Sequence, residues 1–260
     1  MSDDRAHGAR NADAAIVPGL IAVHTQAEHA VTRGDLATAH RLLTDALTIA
    51  ETRLSTPHPA QANLLIHLAQ VDELRQQVST ARLRLMEAHA LRVALFGPTD
   101  PATLSIVDYV ADMLRDVGDF TAAEQLYTEI LTLRETAFGR THPSVAETCN
   151  ESGVVSMALG ELVRAQEHHT RALAIRRSQR GRTHPETAQS MLNLAGVLRA
   201  QGHLHRAHHY TDDAVAIMIT TIGRDHPLTQ RCIAILQTYP PQQRAGWHRI
   251  WRRIRRWFRT

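Results

Sequence analysis

Histidine is the most abundant side chain with metal-binding chemistry in this sequence, which contains 17 of them. The segment HLHRAHH puts His205 and His209 four residues apart, so on a helix both imidazoles would share one face, as two zinc ligands do. His168 and His169 form another pair earlier in the chain. A helix-spaced pair without a recognised set of further ligands is a weak zinc motif. We therefore predict no metal site and interpret the histidine-rich segments as part of a solvated outer surface, although His169 occupies a position normally filled by a packing residue.

Other residues that could carry catalysis are sparse. The sequence contains no nucleophile motif, no glycine-rich phosphate loop and no metalloprotease helix. Its two cysteines, Cys149 and Cys232, are far apart, and we expect both to pack in a core without forming a disulfide framework. The pattern predicts a non-enzymatic protein without a cofactor.

The location predicted from the sequence is cytoplasmic. Two cysteines in 260 residues suit a reducing compartment. The polar N-terminus lacks the apolar core of a signal peptide, and no apolar run approaches the roughly 18 residues that span a bilayer.

The C-terminal segment combines arginine with tryptophan. Residues 244–260 hold seven of the 29 basic residues and no acid, so a basic tail follows an acidic body. At helical periodicity the apolar side chains share an arc of about 120° and the arginines fill the opposite side. Tryptophan and arginine on such a helix suit a membrane interface. The residues assigned to this surface are Trp247, Trp251, Arg252, Arg253, Arg255, Arg256, Trp257 and Phe258.

Four other uses of the tail remain open at this point. It could cap the last apolar face of the preceding domain or fold back into an acidic groove of the same chain. It could contact another protein or, less in keeping with three tryptophans on one face, bind nucleic acid through phosphate contacts.

The elements that position these residues follow from an internal period. Pro59, Pro101, Pro143, Pro185 and Pro227 recur every 42 residues, each preceded by His or Asp. Proline suits the first turn of a helix, and the residue before it suits the N-cap. Each period then predicts a first helix, a turn usually marked by glycine, and a second helix, for example residues 186–201 and 204–222.

The strings RTHPSVAET, RTHPETAQSMLNLAGVLRAQGHLHRA and GRDHP resemble the 42-residue tetratricopeptide repeats of the kinesin light chain type, which also occur widely in bacteria. The resemblance implies an all-α fold, a right-handed α-solenoid of helix-turn-helix repeats. We expect a disordered N-terminus over residues 1–15 and a solenoid of five repeats plus a capping helix over 16–239. A basic amphipathic helix would follow over 240–260. Exclusive use of arginine over lysine is typical of a GC-rich, bacterial genome.

The resemblance also implies that the first helices line a groove that binds peptides or protein segments. The polar residues expected to face it are Asn63, His67, Gln70, Glu73, Asp108, Tyr109, Asp112, Arg115, Glu147, Asn150, Glu151, Gln189, Asn193 and Arg199. Asn193 matches the family's ligand-contacting Asn, whereas Asn150 stands one residue earlier in its own repeat. Acids outnumber arginines, so a cationic segment is the expected partner.

The sequence therefore predicts a scaffold or adaptor that binds a protein segment in its groove, with a tail that places the complex at a membrane surface. One alternative is a regulatory module whose tail occupies the groove until a partner displaces it. Another is an enzyme built on helical repeats, for which the sequence offers no catalytic constellation.

Overall fold

The computed structural model describes residues 2–55 and 57–239, with side chains from residue 16 onward. In these ranges it contains eleven α-helices and no strand, which confirms the all-α prediction. In chain order they are α1 Ser2–Thr32, α2 Leu36–Arg53, α3 Pro59–Leu74, α4 Val78–Phe96, α5 Pro101–Asp116, α6 Phe120–Phe138, α7 Pro143–Ala158, α8 Leu162–Arg180, α9 Pro185–Ala200, α10 Leu204–Ile222 and α11 Pro227–Gln237.

The helices form two compact units, an N-terminal unit (Met1–Val117) and a C-terminal unit (Gly118–Thr260). Within each unit every helix packs against the next one along the chain. First helices also contact each other, α1 with α3 and α7 with α9. This is the nearest-neighbour packing of helix-turn-helix repeats.

Each His-Pro or Asp-Pro step begins a first helix, as the sequence predicts. His58 and His142 accept hydrogen bonds through Nδ1 from the backbone N–H groups of Ala60 (3.1 Å) and Ser144 (3.2 Å). Asp100 replaces histidine in the second step and caps α5 through the N–H of Thr103 at 2.9 Å. The capping residue satisfies a backbone donor that the first turn would otherwise leave unpaired.

The turn between the two helices of a repeat needs a left-handed residue. Glycine supplies it in most repeats, for example Gly118 with φ 84°. In the second repeat Gln76 takes this role with φ 62°, and it is the one non-glycine residue with positive φ in the described part of the chain. The departure of Gln76-Gln77 from the glycine pattern therefore keeps the same backbone path, at a steric cost that glycine avoids.

Small residues mark the tightest helix contacts. The alanines that recur at one position of every second helix are fully buried, and these are Ala39, Ala81, Ala123, Ala165 and Ala207. A larger side chain at this position would force the neighbouring helix away. The predicted core positions Cys149 and Cys232 are also buried, and both thiols are free.

The N-terminus differs from the expectation of disorder over residues 1–15. Helix α1 begins at Ser2 and runs to Thr32 with Pro18 inside it. The segment before Pro18 contains no proline and is rich in alanine, with two acids near its start. Alanine and acids in the first turn favour helix.

A buried histidine replaces the usual apolar residue in the C-terminal unit. His169 is 1% exposed, and three atoms of its ring lie 2.6–2.8 Å from where a Cβ of Gly153 would stand. At the position of Gly153 the first helices of the other four repeats carry alanine, for example Ala195. Glycine is therefore required at 153 because the imidazole occupies the space that a methyl group would fill.

We expect Gly153→Ala to destabilise the protein by about 1–3 kcal/mol, because the new methyl group would overlap a ring in a packed core. Gly196→Ala is the matched control, since no atom lies within 4 Å of its added Cβ. That change should stabilise helix α9 by about 1 kcal/mol through helix propensity. Urea denaturation followed by circular dichroism measures both. Equal effects of the two substitutions would contradict the assigned contact.

The pH dependence of stability provides a second test of the same contact. Burial lowers the pKa of His169 to about 4, with a smaller effect of His168. Between pH 6.5 and 4 the unfolded chain therefore binds a proton that the folded chain does not, so folding weakens as the pH falls through this window. We expect the parent to lose about 2 kcal/mol more than His169→Leu between pH 7 and 4.5. Parallel losses in parent and variant would show that His169 is not buried in its neutral form.

Candidate functional site

The first helices of the C-terminal unit present a connected row of polar side chains. Asn193 Nδ2 of α9 donates to Asn150 Oδ1 of α7 at 2.6 Å. Gln189 Nε2 donates to Asn193 Oδ1 at 3.1 Å, and Asn150 Nδ2 donates to Glu151 Oε1 at 3.0 Å. We call this set, Gln189, Asn193, Asn150 and Glu151, the amide row. Asn150 and Asn193 are 43 residues apart, one more than the period of the repeats.

The amide row holds its groups in fixed orientations and retains hydrogen-bonding capacity. Each primary amide has two N–H donors and two acceptor lone pairs, and the internal bonds use only part of these. Asn150 is 9% exposed, whereas Gln189 is exposed and Asn193 half-buried. The row therefore offers oriented donors and acceptors along an accessible edge, the groups that an extended backbone can pair with.

Two other predicted residues lie on the same first helices. Glu147 is exposed on α7, one helical turn before the Asn150–Glu151 step. Arg199 is exposed near the end of α9, where its Nη1 lies 3.4 Å from Thr238 Oγ1 after helix α11. Both flank the amide row without joining its hydrogen bonds.

The first helices of the N-terminal unit carry a pair of imidazoles in contact, with their ring planes tilted by 60°. The rings of His24 on α1 and His67 on α3 have centroids 3.8 Å apart. His67 Nδ1 lies 2.7 Å from the carbonyl oxygen of Asn63 and donates to it. Burial lowers the pKa of His67, and the adjacent His24 lowers it further, so His67 favours its neutral form. Glu28 lies 3.9 Å from His24 Nε2.

Acidic residues continue this face on α3 and α5. Tyr109 donates a short hydrogen bond to Glu73 Oε2, and burial and this bond raise the pKa of Tyr109. Arg115 lies 2.8 Å from Asp112 and 3.1 Å from Asp116. Asp108 is half-buried on the same helix. One arginine therefore faces several carboxylates, and the face keeps an acidic excess.

His24 is a residue of this face that the sequence interpretation missed. It stands 126 residues before Asn150, three periods of 42, so the period would have identified it. The first repeat lacks the His-Pro step that locates the register in the other repeats.

The histidine-rich segment of α10 has an acidic neighbour that the sequence did not predict. His209 Nδ1 lies 3.4 Å from Asp213 Oδ2, and both side chains are largely exposed. In the described ranges no three His, Cys, Asp or Glu side chains come together as a metal site would require. The cysteines offer no reactive thiolate either, since burial raises the pKa of Cys149 to about 11.

The predicted tail surface from Trp247 to Phe258 lies outside the described residues, and so does the predicted amphipathic helix over 240–260. Within the described ranges no helix combines the length and apolar character needed to cross a membrane.

Comparison with known proteins decides the family. Models described as tetratricopeptide repeat match residues 103–144 and 146–220. The chain therefore contains tetratricopeptide repeats over these residues. A search of curated protein sequences finds no match.

Solved tetratricopeptide repeat structures share the fold. A putative kinesin light chain repeat protein of Podospora anserina is 23% identical, with a TM-score of 0.67 over 78% of this chain and 96% of that one. BtubC (BKLC) of P. vanneervenii is 22% identical, with a TM-score of 0.67 over 92% of this chain and 89% of that one. The Rap conjugation gene regulator of plasmid pLS20, solved with the Phr* peptide, is 14% identical. Its TM-score is 0.58 over 92% of this chain and 66% of that one. Both polar faces described above, the amide row of the C-terminal unit and the acidic face of the N-terminal unit, lie on first helices of such helix pairs.

Proposed function

We propose that this protein is a non-enzymatic scaffold that binds an extended segment of a partner protein on the first-helix faces of its repeats. The observation that carries the proposal is the amide row, in which Asn193 bonds to Asn150 across two neighbouring first helices at 2.6 Å. Tetratricopeptide repeats are interaction modules, and one of the similar structures is a complex with a peptide.

An amide row suits recognition of a peptide backbone. Asn and Gln present a donor and an acceptor on one rigid group, which matches the alternating N–H and C=O of an extended chain. Because Asn193 and Asn150 already hold each other in place, little side-chain entropy is lost when a ligand binds. The row would therefore contribute affinity that depends little on the ligand's sequence.

Charge supplies the selectivity in this proposal. The first-helix face of the N-terminal unit carries Glu28, Glu73, Asp108 and Asp112 against Arg115. Complementary potential favours a cationic partner and speeds its association. We propose a partner segment rich in arginine or lysine.

The tail adds a membrane contact to this proposal. Three tryptophans and seven arginines in residues 244–260 suit an anionic leaflet, at which the scaffold would act as a peripheral protein on the cytoplasmic side. The acidic first-helix face favours the alternative in which the tail blocks the binding face of its own chain.

Selection from a random phage-displayed peptide library on the intact protein tests the binding face. Selected peptides should be basic and bind in extended form. Asn150→Ala/Asn193→Ala should weaken binding of the best peptide at least tenfold, about 1.4 kcal/mol, in fluorescence anisotropy, with helicity unchanged. The matched control is Gln125→Ala/Thr128→Ala on the exposed side of α6. A loss in the control alone, or no loss in either variant, would place binding elsewhere.

Vesicles of phosphatidylglycerol and phosphatidylcholine test the tail. Tryptophan emission should shift to the blue on binding, because all three tryptophans lie in residues 247–257. The shift should weaken as salt rises and disappear in Trp251→Ser/Trp257→Ser. Emission that is already blue without lipid, together with tighter peptide binding after removal of residues 246–260, would instead support the autoinhibited alternative. Exposed tryptophans, no vesicle binding and unchanged peptide affinity would contradict both.

A further inference from the structure

Helix α4 of the N-terminal unit exposes an apolar stripe that the binding faces do not include. Leu83 and Met86 are 65% and 53% exposed. With Ser79, Ala90 and the half-buried Val93 they form a row at alternating spacings of four and three residues. We call these five residues the α4 stripe. Ala81, Leu85 and Ala88 fill the opposite side of the helix and are fully buried, so the stripe points away from the core.

Leu83 and Met86 are specific to this repeat. One, two or three periods of 42 residues from Leu83, the other second helices carry Arg41, Gln125, Glu167 and His209. At the position of Met86 they carry Thr44, Thr128, Thr170 and Asp212. The repeat fold therefore tolerates polar residues at these positions, and leucine and methionine serve something other than its core.

Alternating spacings of four and three residues are those of a coiled-coil seam. Such a row stays on one side of a helix and interlocks with a second helix that carries the same spacing. In this assignment Leu83 and Ala90 occupy a positions, whereas Ser79, Met86 and Val93 occupy d positions. A partner with a matching seam is the second copy of the same helix.

The charges beside the stripe are self-complementary in one orientation. Arg82 lies immediately before Leu83 and Glu87 immediately after Met86, on opposite flanks of the stripe, and both are exposed. These are the g and e positions, which pair between parallel helices when they are five residues apart. Arg82 of each copy would then face Glu87 of the other. An antiparallel pair would bring arginine beside arginine and glutamate beside glutamate.

We propose that the α4 stripe is a dimerisation surface, on which two copies of the chain pair their α4 helices in parallel about a two-fold axis. Leu83 and Met86 pack on their own counterparts, and two Arg82–Glu87 pairs close the flanks. The interface is isologous, because the same residues contribute from both sides. It lies on a second helix, so it leaves the first-helix faces available to a ligand.

The size of the surface sets its strength. One pair of 19-residue helices covers less than the roughly 1,200 Å² of a standard interface, so association should be weak and reversible. We expect a dissociation constant in the micromolar range, about −8 kcal/mol at 1 μM.

Sedimentation velocity of the full chain, from about 1 to 100 μM, measures this association. The parent should pass from monomer to dimer. Leu83→Gln/Met86→Thr should remain monomeric with unchanged helicity, because Gln125 and Thr128 occupy the same positions of α6. Val163→Thr, at an exposed valine of α8, is the matched control and should dimerise like the parent. A monomeric parent, or a dimer that survives the double substitution, would overturn the proposal.

Charge exchange tests the pairing itself. Arg82→Glu and Glu87→Arg should each weaken self-association at least fivefold, because each places like charges on both flanks. An equimolar mixture of the two variants should dimerise like the parent, since every flank then joins opposite charges. A mixture no tighter than its components would overturn the assignment of Arg82 to Glu87.

A cysteine tests the orientation. In the parallel pair each Ala90 faces its counterpart, so Ala90→Cys should form a covalent dimer under mild oxidation. The parent is the control, because Cys149 and Cys232 are both buried. A variant that dimerises in sedimentation but does not cross-link would overturn the parallel arrangement.

Discussion

The close approach of helices at a few small residues is the constraint on which this structure depends. A helix pair of about 40 residues cannot enclose a core alone, so it buries its apolar side against the neighbouring pairs. The approach requires alanine at Ala39, Ala81, Ala123, Ala165 and Ala207, each of which is fully buried. Where one helix carries a larger side chain at such a contact, the neighbouring helix needs a smaller residue there. His169 is accommodated only because residue 153 is glycine.

The same constraint separates the positions that pack from those that are free to bind. Most buried positions carry small or apolar residues that recur with the 42-residue period, whereas the exposed sides vary from repeat to repeat. On the first helices this freedom produced the amide row of the C-terminal unit and the acidic, histidine-paired face of the N-terminal unit. On the second helices it produced Leu83 and Met86 of α4, at positions where the other second helices carry polar residues. The candidate binding surfaces therefore lie at exposed positions where neighbouring repeats carry different residues.

Much of the fold could be predicted from the sequence because it is repeated. A proline and its capping residue mark the start of a first helix at five places in the chain. The helix predicted over residues 204–222 matches α10 at both ends. The side-chain partners could not be predicted in this way, because they join residues about one repeat apart whose rotamers the period does not specify. Asn150 is an example, since its offset from the register weakened its match to the family, yet it bonds directly to Asn193. Asp72 is another, a fully buried carboxylate 2.8 Å from Arg84 and 3.3 Å from His40, at a position where other repeats carry leucine, alanine or serine.

Contact between the amide row and the backbone of a bound segment can be tested directly on the asparagine side chains. The chain contains four asparagines, Asn11, Asn63, Asn150 and Asn193, so ¹⁵N-asparagine labelling yields four pairs of side-chain amide signals in a proton–nitrogen NMR spectrum. On titration with a selected peptide, the signals of Asn150 and Asn193 should shift and saturate at the binding stoichiometry, while that of Asn11 stays in place. Saturated binding that leaves both Asn150 and Asn193 unmoved would contradict the account.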